Sequence, residues 1–416
     1  MNWTEYGIEQ QYALLDRETM NECSSIFTRI DTIRDYNQLK VLLAFNETAI
    51  GAHHLQGSYG YGYNDIGRDA ADRVFAKIVA AEDALCRTQF VSGTHAITTA
   101  LFGILRPGMR LLSVSGTPYE TIQTTLGLKD KGLGSLIDFG IEYNQIELVD
   151  SKPDIATIKT MVKDTDVIYI QRSCGYTARR ALSLEDIKSI SDTVKKIKKD
   201  IIVVVDNCYG EFTRTTEPTE HGADLIIGSL IKNPGGGIAE TGGYIAGRKD
   251  LVELCSHRLT APGVGREVGS NALGYRTLLL GLYQAPYITG EALKSAVYAS
   301  YFFSRLSFEV SPKYDEQRND IVTILMMNTK ENLLILSKAI QSASPIDSQA
   351  IPTATEMPGY DTKIVMASGA FTAGSSIELS SDAPLTAPYH AFMQGGLSLI
   401  SSRYAYLKAA SLLAKG

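Results

Sequence analysis

The sequence predicts an α/β fold with a mostly parallel central sheet, helices on both faces and a smaller C-terminal α+β domain. Short apolar runs alternate with helical segments through the middle of the 416-residue chain, as in sheets built from strand–helix–strand units. In addition, Ile201–Val205 is β-branched throughout, which is typical of a strand buried on both faces of a parallel sheet. The predicted strands are Arg110–Val114, Asp166–Ile170, Ile201–Val205, Ala223–Ile227 and Gly243–Ala246, and the predicted helices between them are Ala96–Leu105, Ile155–Lys163 and Leu184–Lys199.

The flanking regions differ from this central part. Residues 1–55 have the apolar spacing of helices and are predicted to form an N-terminal arm. Gly57–Gly67 is too rich in glycine for a helix, and the helical period returns over Arg68–Leu85. We therefore expect a large domain over residues 56–290 and a smaller one over 291–416. The C-terminal elements expected are a helix at Lys330–Ile340, a loop from Ser342 to Pro358, strands at Lys363–Ala367 and Ser375–Leu379, and a final helix at Leu399–Leu413.

Composition excludes several classes of protein. The 40 Lys and Arg residues against 46 Asp and Glu residues give a net charge of −6, so no global basic field attracts nucleic acid or anionic lipid. No apolar run approaches the ~20 residues of a membrane-spanning helix, and the first residues lack the basic and apolar stretches of a secretory signal. The five cysteines are spread out, without a CxxC pair, so we predict no disulfide framework and no metal site, and we expect a cytoplasmic protein.

Two polar residues follow neighbouring predicted strands. Asp206 comes directly after Ile201–Val205, at the carboxyl end of a central strand, where ligands bind in open α/β sheets. Lys232 follows the strand Ala223–Ile227 and precedes a glycine-rich stretch, where a desolvated amine would be a good nucleophile. Taken singly, Asp206 could cap a turn and Lys232 could be a solvated loop lysine. The pair at one sheet edge is more informative than either residue.

Two further elements suit a flat, phosphorylated ligand. Ser92, Gly93 and Thr94 open the helix Ala96–Leu105, and free N–H groups and hydroxyls at a helix N-terminus form a phosphate cradle. Tyr119 follows the strand Arg110–Val114, where its ring could stack on a heterocycle. The alternatives are ordinary N-capping and, in a chain with 22 tyrosines, a core or surface tyrosine.

A phosphate cradle, a stacking ring, a carboxylate and a strand-end lysine are together what pyridoxal 5′-phosphate (PLP) requires. The order and spacing of the motifs resemble the fold-type I PLP-dependent enzymes of the cystathionine and methionine lyase group, in particular the methionine γ-lyase-like aluminium-resistance proteins of the cystathionine β-lyase type. The motifs that carry the resemblance are Gly60–Asp69, Val91–His95, Val205–Tyr209 and Ser229–Gly236. The resemblance covers residues 55 to 250 and becomes more diffuse beyond them.

The resemblance implies a role for each residue of the set. Lys232 would be the Schiff-base lysine, and Asp206 would hold the pyridinium nitrogen. Tyr119 would stack on the ring. The phosphate ligands implied are Ser229, Gly93 and Thr94, beside the helix-capping Ser92.

Two departures from the lyase pattern concern arginines. The group's Tyr-x-Arg element, which reaches the phosphate of a neighbouring subunit, is replaced here by Tyr63-Asn-Asp, with Arg68 as a substitute and Gly57–Gly67 as an inter-subunit loop of a homodimer or homotetramer. That loop could instead be an intrachain turn. The carboxylate-binding arginine is also absent from Met393–Leu399. Arg172, after the strand Asp166–Ile170, is the candidate replacement, unless it forms a structural salt bridge.

The function expected is elimination from a sulfur-containing amino acid at its β- or γ-carbon, which yields a thiol, a 2-oxo acid and ammonia. The partners expected are thus a small amino-acid substrate and further copies of the chain, with neither nucleic acid nor membrane. Two alternatives remain open from the residues. One is another PLP reaction, such as transamination or aldol cleavage, and the other is a non-catalytic PLP-binding protein of stress resistance.

Overall fold

The computed structural model describes residues 1–130, 132–357 and 362–415. The α-helices over these residues are α1 Gln10–Glu22, α2 Ser24–Glu47, α3 Ile66–Ile78, α4 Gly93–Ile104, α5 Glu120–Leu126, α6 Ile155–Met161, α7 Leu184–Ile197, α8 Lys249–Leu259, α9 Arg276–Arg305, α10 Lys330–Ser342 and α11 Leu399–Leu413. The strands over the same residues are β1 Asp83–Arg87, β2 Arg110–Ser113, β3 Glu142–Gln145, β4 Val167–Gln171, β5 Ile202–Asp206, β6 Leu225–Ser229, β7 Gly243–Gly247, β8 Glu309–Ser311, β9 Val322–Met326, β10 Ala354–Thr355, β11 Ile364–Ser368, β12 Ser380–Pro384 and β13 His390–Gln394.

The large sheet has the order β1-β7-β6-β5-β4-β2-β3. Strands β3, β2, β4, β5 and β6 run parallel, and β7 runs antiparallel to β6. The edge strand β1 is antiparallel to β7 and therefore points in the same direction as the five parallel strands. The predicted α/β class with a mostly parallel sheet is therefore confirmed. The five predicted strands agree with the observed bounds to within two residues.

Helices cover both faces of this sheet, and the valines of strand β5 contact the helices on both sides. Val203 and Val205 pack into the cluster that contains the inner faces of α3 and α7. Val204, between them, packs into the opposite cluster with α4 and α8. Since successive side chains of a strand point to opposite faces, Val203, Val204 and Val205 are all fully buried, and an uninterrupted β-branched run satisfies both faces.

The edges of the large sheet were not predicted. The helical prediction over Arg68–Leu85 is wrong at its end, because α3 stops at Ile78 and Asp83–Arg87 forms strand β1. Asp-Ala-Leu-Cys-Arg is not rich in β-branched residues, so it lacks a strand signal of its own. Strand β3, Glu-Tyr-Asn-Gln, is polar and mostly exposed, as edge strands often are.

The second sheet is antiparallel, in the order β10-β11-β12-β13-β9-β8. The predicted strand Ser375–Leu379 is wrong, because the strand lies five positions later, at β12. Ile377 is fully buried, so the apolar signal came from a packed loop. The predicted loop from Ser342 to Pro358 begins one residue too early, because Ser342 is the last residue of α10, and it contains the short strand β10. Pro358 lies outside the described residues.

Helix α9 connects the two sheets and runs through residue 290, so a division of the chain at that position remains a proposal. The N-terminal arm, α1 and α2, packs with α9 and α11 in the core beside the second sheet. Across the described ranges, no helix combines the length and apolar character needed to cross a bilayer.

Candidate active site

A cavity of about 190 Å³ opens where the carboxyl ends of β4, β5 and β6 face strands β9 and β13 of the second sheet. Seven residues singled out from the sequence line this cavity. They are Ser92, Gly93, Thr94, Tyr119, Asp206, Ser229 and Lys232. Residues far apart in the chain thus meet at the edge where parallel strands end, as expected for ligand sites of α/β sheets.

Asp206 is the last residue of β5 and is 5% exposed. Its Oδ1 accepts a hydrogen bond of 3.1 Å from the backbone N–H of Cys208. Burial raises the pKa of the Asp206 carboxyl above its ordinary value, and the positive charge of Lys232 offsets this only in part. A carboxylate in such a place is stabilised by a cation brought to it.

Lys232 lies three residues beyond β6, and local packing fixes the turn that carries it. The side chain of Asn233 donates to the carbonyl oxygens of Tyr209 and Glu211, both at 3.0 Å. A Cβ on Gly235 would lie 1.8 Å from the carbonyl oxygen of Leu230, so only glycine fits there. The Asn-Pro-Gly sequence therefore holds the lysine at the cavity.

The Lys232 side chain is not the low-pKa amine that desolvation alone would give, because the acidic groups around it favour its protonated form. Its Nζ lies 4.0 Å from the centre of the Tyr209 ring and makes no hydrogen bond to any residue that the structure describes. Burial lowers the pKa of the Lys232 amine, but the acidic groups around it, among them Cys208, Tyr209 and Asp206, raise it by more, so the net pKa is above the ordinary value.

The predicted phosphate cradle lies at the N-terminus of α4, beside the end of β6. Ser92 caps the helix, because its Oγ accepts a 3.1 Å hydrogen bond from the backbone N–H of His95. A Cβ on Gly93 would lie 3.1 Å from the Ser229 Cβ and 3.7 Å from the Cys208 Sγ. Glycine thus keeps the space between the helix end and β6 free for a ligand.

Aromatic rings form another wall. The rings of Tyr119 and Tyr176 meet edge to face at 5.9 Å, and that of Tyr176 lies 5.2 Å from Phe392. Tyr209 completes this wall with its backbone in the left-handed region, at φ 71°. A bulky residue in this conformation carries strain, which clusters at functional sites.

Arg172 does not reach the cavity, so its assignment to the substrate carboxylate is withdrawn. Gln171 is paired in register with Asp206, which places their side chains on the same face, and Arg172, the next residue, points to the opposite face. There it is fully buried and donates from Nη1 to the Oδ1 of Asn207 at 2.7 Å. Arg172 therefore holds the loop after β5. Among the described residues that line the cavity, none is an arginine.

Tyr63 and Arg68 also lie outside the cavity of their own chain. Tyr63 is 64% exposed, which leaves open its proposed role towards a neighbouring subunit. Arg68 is 1% exposed and donates to the Gly62 carbonyl at 2.8 Å and to Asp69 at 2.9 Å. Because its guanidinium is enclosed in its own chain, Arg68 shapes the glycine-rich loop, and its assignment as a phosphate ligand is not supported.

The contribution of the second sheet to the cavity was not predicted from the sequence. Val322 of β9 and Phe392 and Gln394 of β13 line the cavity. Gln394 lies in the segment Met393–Leu399, for which the only expectation from the sequence concerns the absent carboxylate-binding arginine. A polar residue at the end of an otherwise buried strand was the available signal.

The described residues fit the phosphate, the aldehyde and the ring nitrogen of PLP. The N-terminus of α4 and the hydroxyl of Ser229 offer donors to a phosphate. Lys232, without a hydrogen-bond partner among the described residues, has an amine free to bond to a carbonyl carbon. Asp206, a buried carboxylate without an ion-pair partner in the described ranges, offers a counter-charge to a protonated ring nitrogen.

The sequence profile of the methionine gamma-lyase family matches residues 12–413. The chain belongs to this family. A carbon-sulfur lyase involved in aluminum resistance from Clostridium novyi NT is 49% identical, with a TM-score of 0.94 over 98% of this chain and 97% of that one. The uncharacterized protein YnbB of Bacillus subtilis (strain 168) is 42% identical over 384 residues, which are 92% of this chain and 91% of YnbB.

The fold extends to more distant PLP-dependent proteins. The structure of the pyridoxal-5′-phosphate dependent protein YhfS from Escherichia coli has a TM-score of 0.61 over 92% of this chain at 16% identity. The expected fold-type I architecture is therefore confirmed, and the methionine gamma-lyase family to which the chain belongs implies PLP as its cofactor.

Proposed function

We propose that this protein is a PLP-dependent carbon–sulfur lyase that acts on a sulfur-containing amino acid, by elimination of the cystathionine β-lyase or methionine γ-lyase type. The products are a thiol, a 2-oxo acid and ammonia. The observation that carries the proposal is that Lys232, Asp206 and the Ser92–Thr94 cradle line one cavity. Membership of the methionine gamma-lyase family supports the choice of reaction.

When bound, PLP supplies an electron sink for the negative charge that develops at the substrate Cα. In the proposal, the amine of Lys232 takes the Cα proton, since it is the basic group at the cavity without a hydrogen-bond partner in the described residues. The carboxylate of Asp206 keeps the proton on the ring nitrogen. Tyr119, or Tyr63 of the partner subunit, donates a proton to the sulfur that leaves.

The test is reduction with borohydride of protein purified with PLP, followed by mass mapping of the modified peptide. We expect the label on Lys232, loss of both label and turnover in Lys232→Ala, and neither loss in Lys188→Ala, a control at an exposed position of α7. A label on another lysine would overturn the site assignment.

The reaction type needs a separate measurement. Formation of a 2-oxo acid, ammonia and thiol from a thioether amino acid without an added amino acceptor supports elimination. Dependence of the same product on an added 2-oxo acid would instead identify a transaminase.

A further inference from the structure

A second chamber of about 150 Å³ adjoins the first and is lined mainly by the C-terminal sheet. The two chambers share Tyr119, Tyr176, Tyr209, Lys232 and Gln394. A substrate whose Cα lies at Lys232 can therefore extend its side chain into the second chamber. The groups of this chamber decide which side chains are accepted.

Asp382, on strand β12, lines the second chamber and is 6% exposed. Its Oδ2 accepts hydrogen bonds from the Gln394 amide at 2.7 Å and from the Tyr176 hydroxyl at 3.0 Å. Its Oδ1 is buried and has no hydrogen-bond partner among the residues that the structure describes. Burial raises the pKa of Asp382, against the effect of those two hydrogen bonds and of the positive charge of Lys232. A buried carboxylate oxygen left in this way is costly unless a donor arrives.

The rest of the lining combines serine hydroxyls with apolar side chains. The hydroxyls of Ser375 and Ser380 are buried and lack partners among the described residues, so they can turn to accept or donate. Ile364 and Met366 supply apolar surface for a methylene chain. Apart from Lys232, the described lining contains no lysine or arginine. The chamber therefore suits a short chain that ends in a cation and disfavours one that ends in an anion.

On the basis of the proposed lyase function, we propose that the second chamber binds the arm beyond the sulfur of a thioether amino acid and that Asp382 binds an ammonium group on that arm. The substrate class is then an S-aminoalkyl derivative of cysteine or homocysteine, in which the amine of the leaving thiol bonds to Asp382. Its elimination releases an aminothiol, so the reaction balances as in any thioether amino acid. A plain S-alkyl group leaves the carboxylate and both serine hydroxyls unpaired.

Two thioethers of nearly equal size separate this inference from general catalysis. S-(2-aminoethyl)-L-cysteine ends in an ammonium group where S-propyl-L-cysteine ends in a methyl group. We expect the wild-type enzyme to favour the amine by kcat/KM about tenfold to a hundredfold, the range of a hydrogen bond to a charged group. In Asp382→Asn this ratio should fall close to one. Glu378→Gln, a matched change of a buried carboxylate that lines neither chamber, should leave the ratio unchanged.

Binding must be measured apart from turnover. Calorimetric titration of the same two thioethers into the inactive Lys232→Ala variant, with and without Asp382→Asn, should show the same preference in Kd. If the amine binds more tightly than S-propyl-L-cysteine but the wild-type enzyme forms no 2-oxo acid from either, the proposed role of the chamber is supported and the lyase proposal is wrong. Equal Kd and kcat/KM for both thioethers, with turnover intact, would overturn the role of Asp382. If Asp382→Asn lowers kcat/KM equally for both thioethers, Asp382 acts only by holding Tyr176 and Gln394 in place.

Discussion

Two adjacent residues at the end of β4 show how strand alternation selects the side chains of the cavity. The side chain of Gln171 lies on the same face of the sheet as that of Asp206. Its Oε1 accepts a 2.6 Å hydrogen bond from the backbone N–H of Tyr119. Arg172 points the other way and is fully buried against Asn207 and Gly210. A shift of one position thus separates a group that positions the site from one that supports its loop.

Asp206→Asn tests the pyridinium role at the scale of one residue. Asparagine keeps the shape and the acceptor for the Cys208 N–H, but it cannot carry the charge that holds a proton on the ring nitrogen. We expect kcat to fall about a hundredfold or more, as when one preorganised electrostatic group is removed, while borohydride still labels Lys232. A steady-state assay together with mass mapping measures both effects.

Asp224→Asn is the matched control for that variant. Asp224 is equally buried but precedes β6, at the opposite edge of the sheet, where it accepts from the Val203 N–H at 2.8 Å and from Lys195 at 3.0 Å. Its loss should lower the melting temperature and leave kcat unchanged. Wild-type kcat in Asp206→Asn would show that Asp206 does not act on the ring.

At the scale of elements, a buried ion pair attaches the edge strand β1 to helix α3. Arg87, 2% exposed, donates from Nε to Oδ1 of Asp72 at 3.0 Å, and the same oxygen accepts from the backbone N–H of Cys86 at 2.7 Å. This contact explains how a segment without β-branched residues forms a strand. The helix supplies the polar partner that fixes it against β7.

Asp72→Asn should therefore destabilise the part of the chain that forms the large sheet. It leaves the Arg87 guanidinium buried without its counter-charge, which costs about 3–5 kcal/mol, so the melting temperature should fall by several degrees. Adding Arg87→Met should restore part of the loss, since the charge is removed while the asparagine oxygen still accepts from Cys86. If Asp72→Asn alone is as stable as the wild type in thermal and urea unfolding, this account of β1 is wrong.

At the scale of the whole molecule, the glycine-rich loop presents aromatic surface to solvent. Tyr59, Tyr61 and Tyr63 are 79%, 72% and 64% exposed, although tyrosine rings are large enough to dominate an interface. Arg68 holds the loop through the Gly62 carbonyl, where φ is +68°. A fixed loop that exposes three rings supports the proposed association of copies of this chain.

Replacing the three tyrosines by serine should produce a smaller assembly in light scattering. PLP content per chain should fall as well, because Tyr63 is proposed to reach the site of the partner subunit. Leu133→Ser, at another exposed apolar residue (69%), serves as the control and should change neither property. An unchanged assembly in the triple variant would rule out the loop as the interface.

The sequence alone predicted the fold class, the five strands of the sheet centre, the final helix and the positions of Asp206 and Lys232 at one sheet edge. These features depend on the local sequence pattern. A strand buried on both faces is rich in β-branched residues, and the residue after such a run lies at the carboxyl edge of the sheet.

Other features depend on contacts between segments that are distant in the sequence, and only the tertiary structure shows them. Strand β1 depends on a partner in α3, and the side on which Arg172 lies depends on the register of β4 with β5. Gln394 and Asp382 reach the two chambers only because the second sheet packs over the edge of the first. Contacts between distant segments are set by packing and side-chain direction, which a local pattern of apolar and polar residues does not encode.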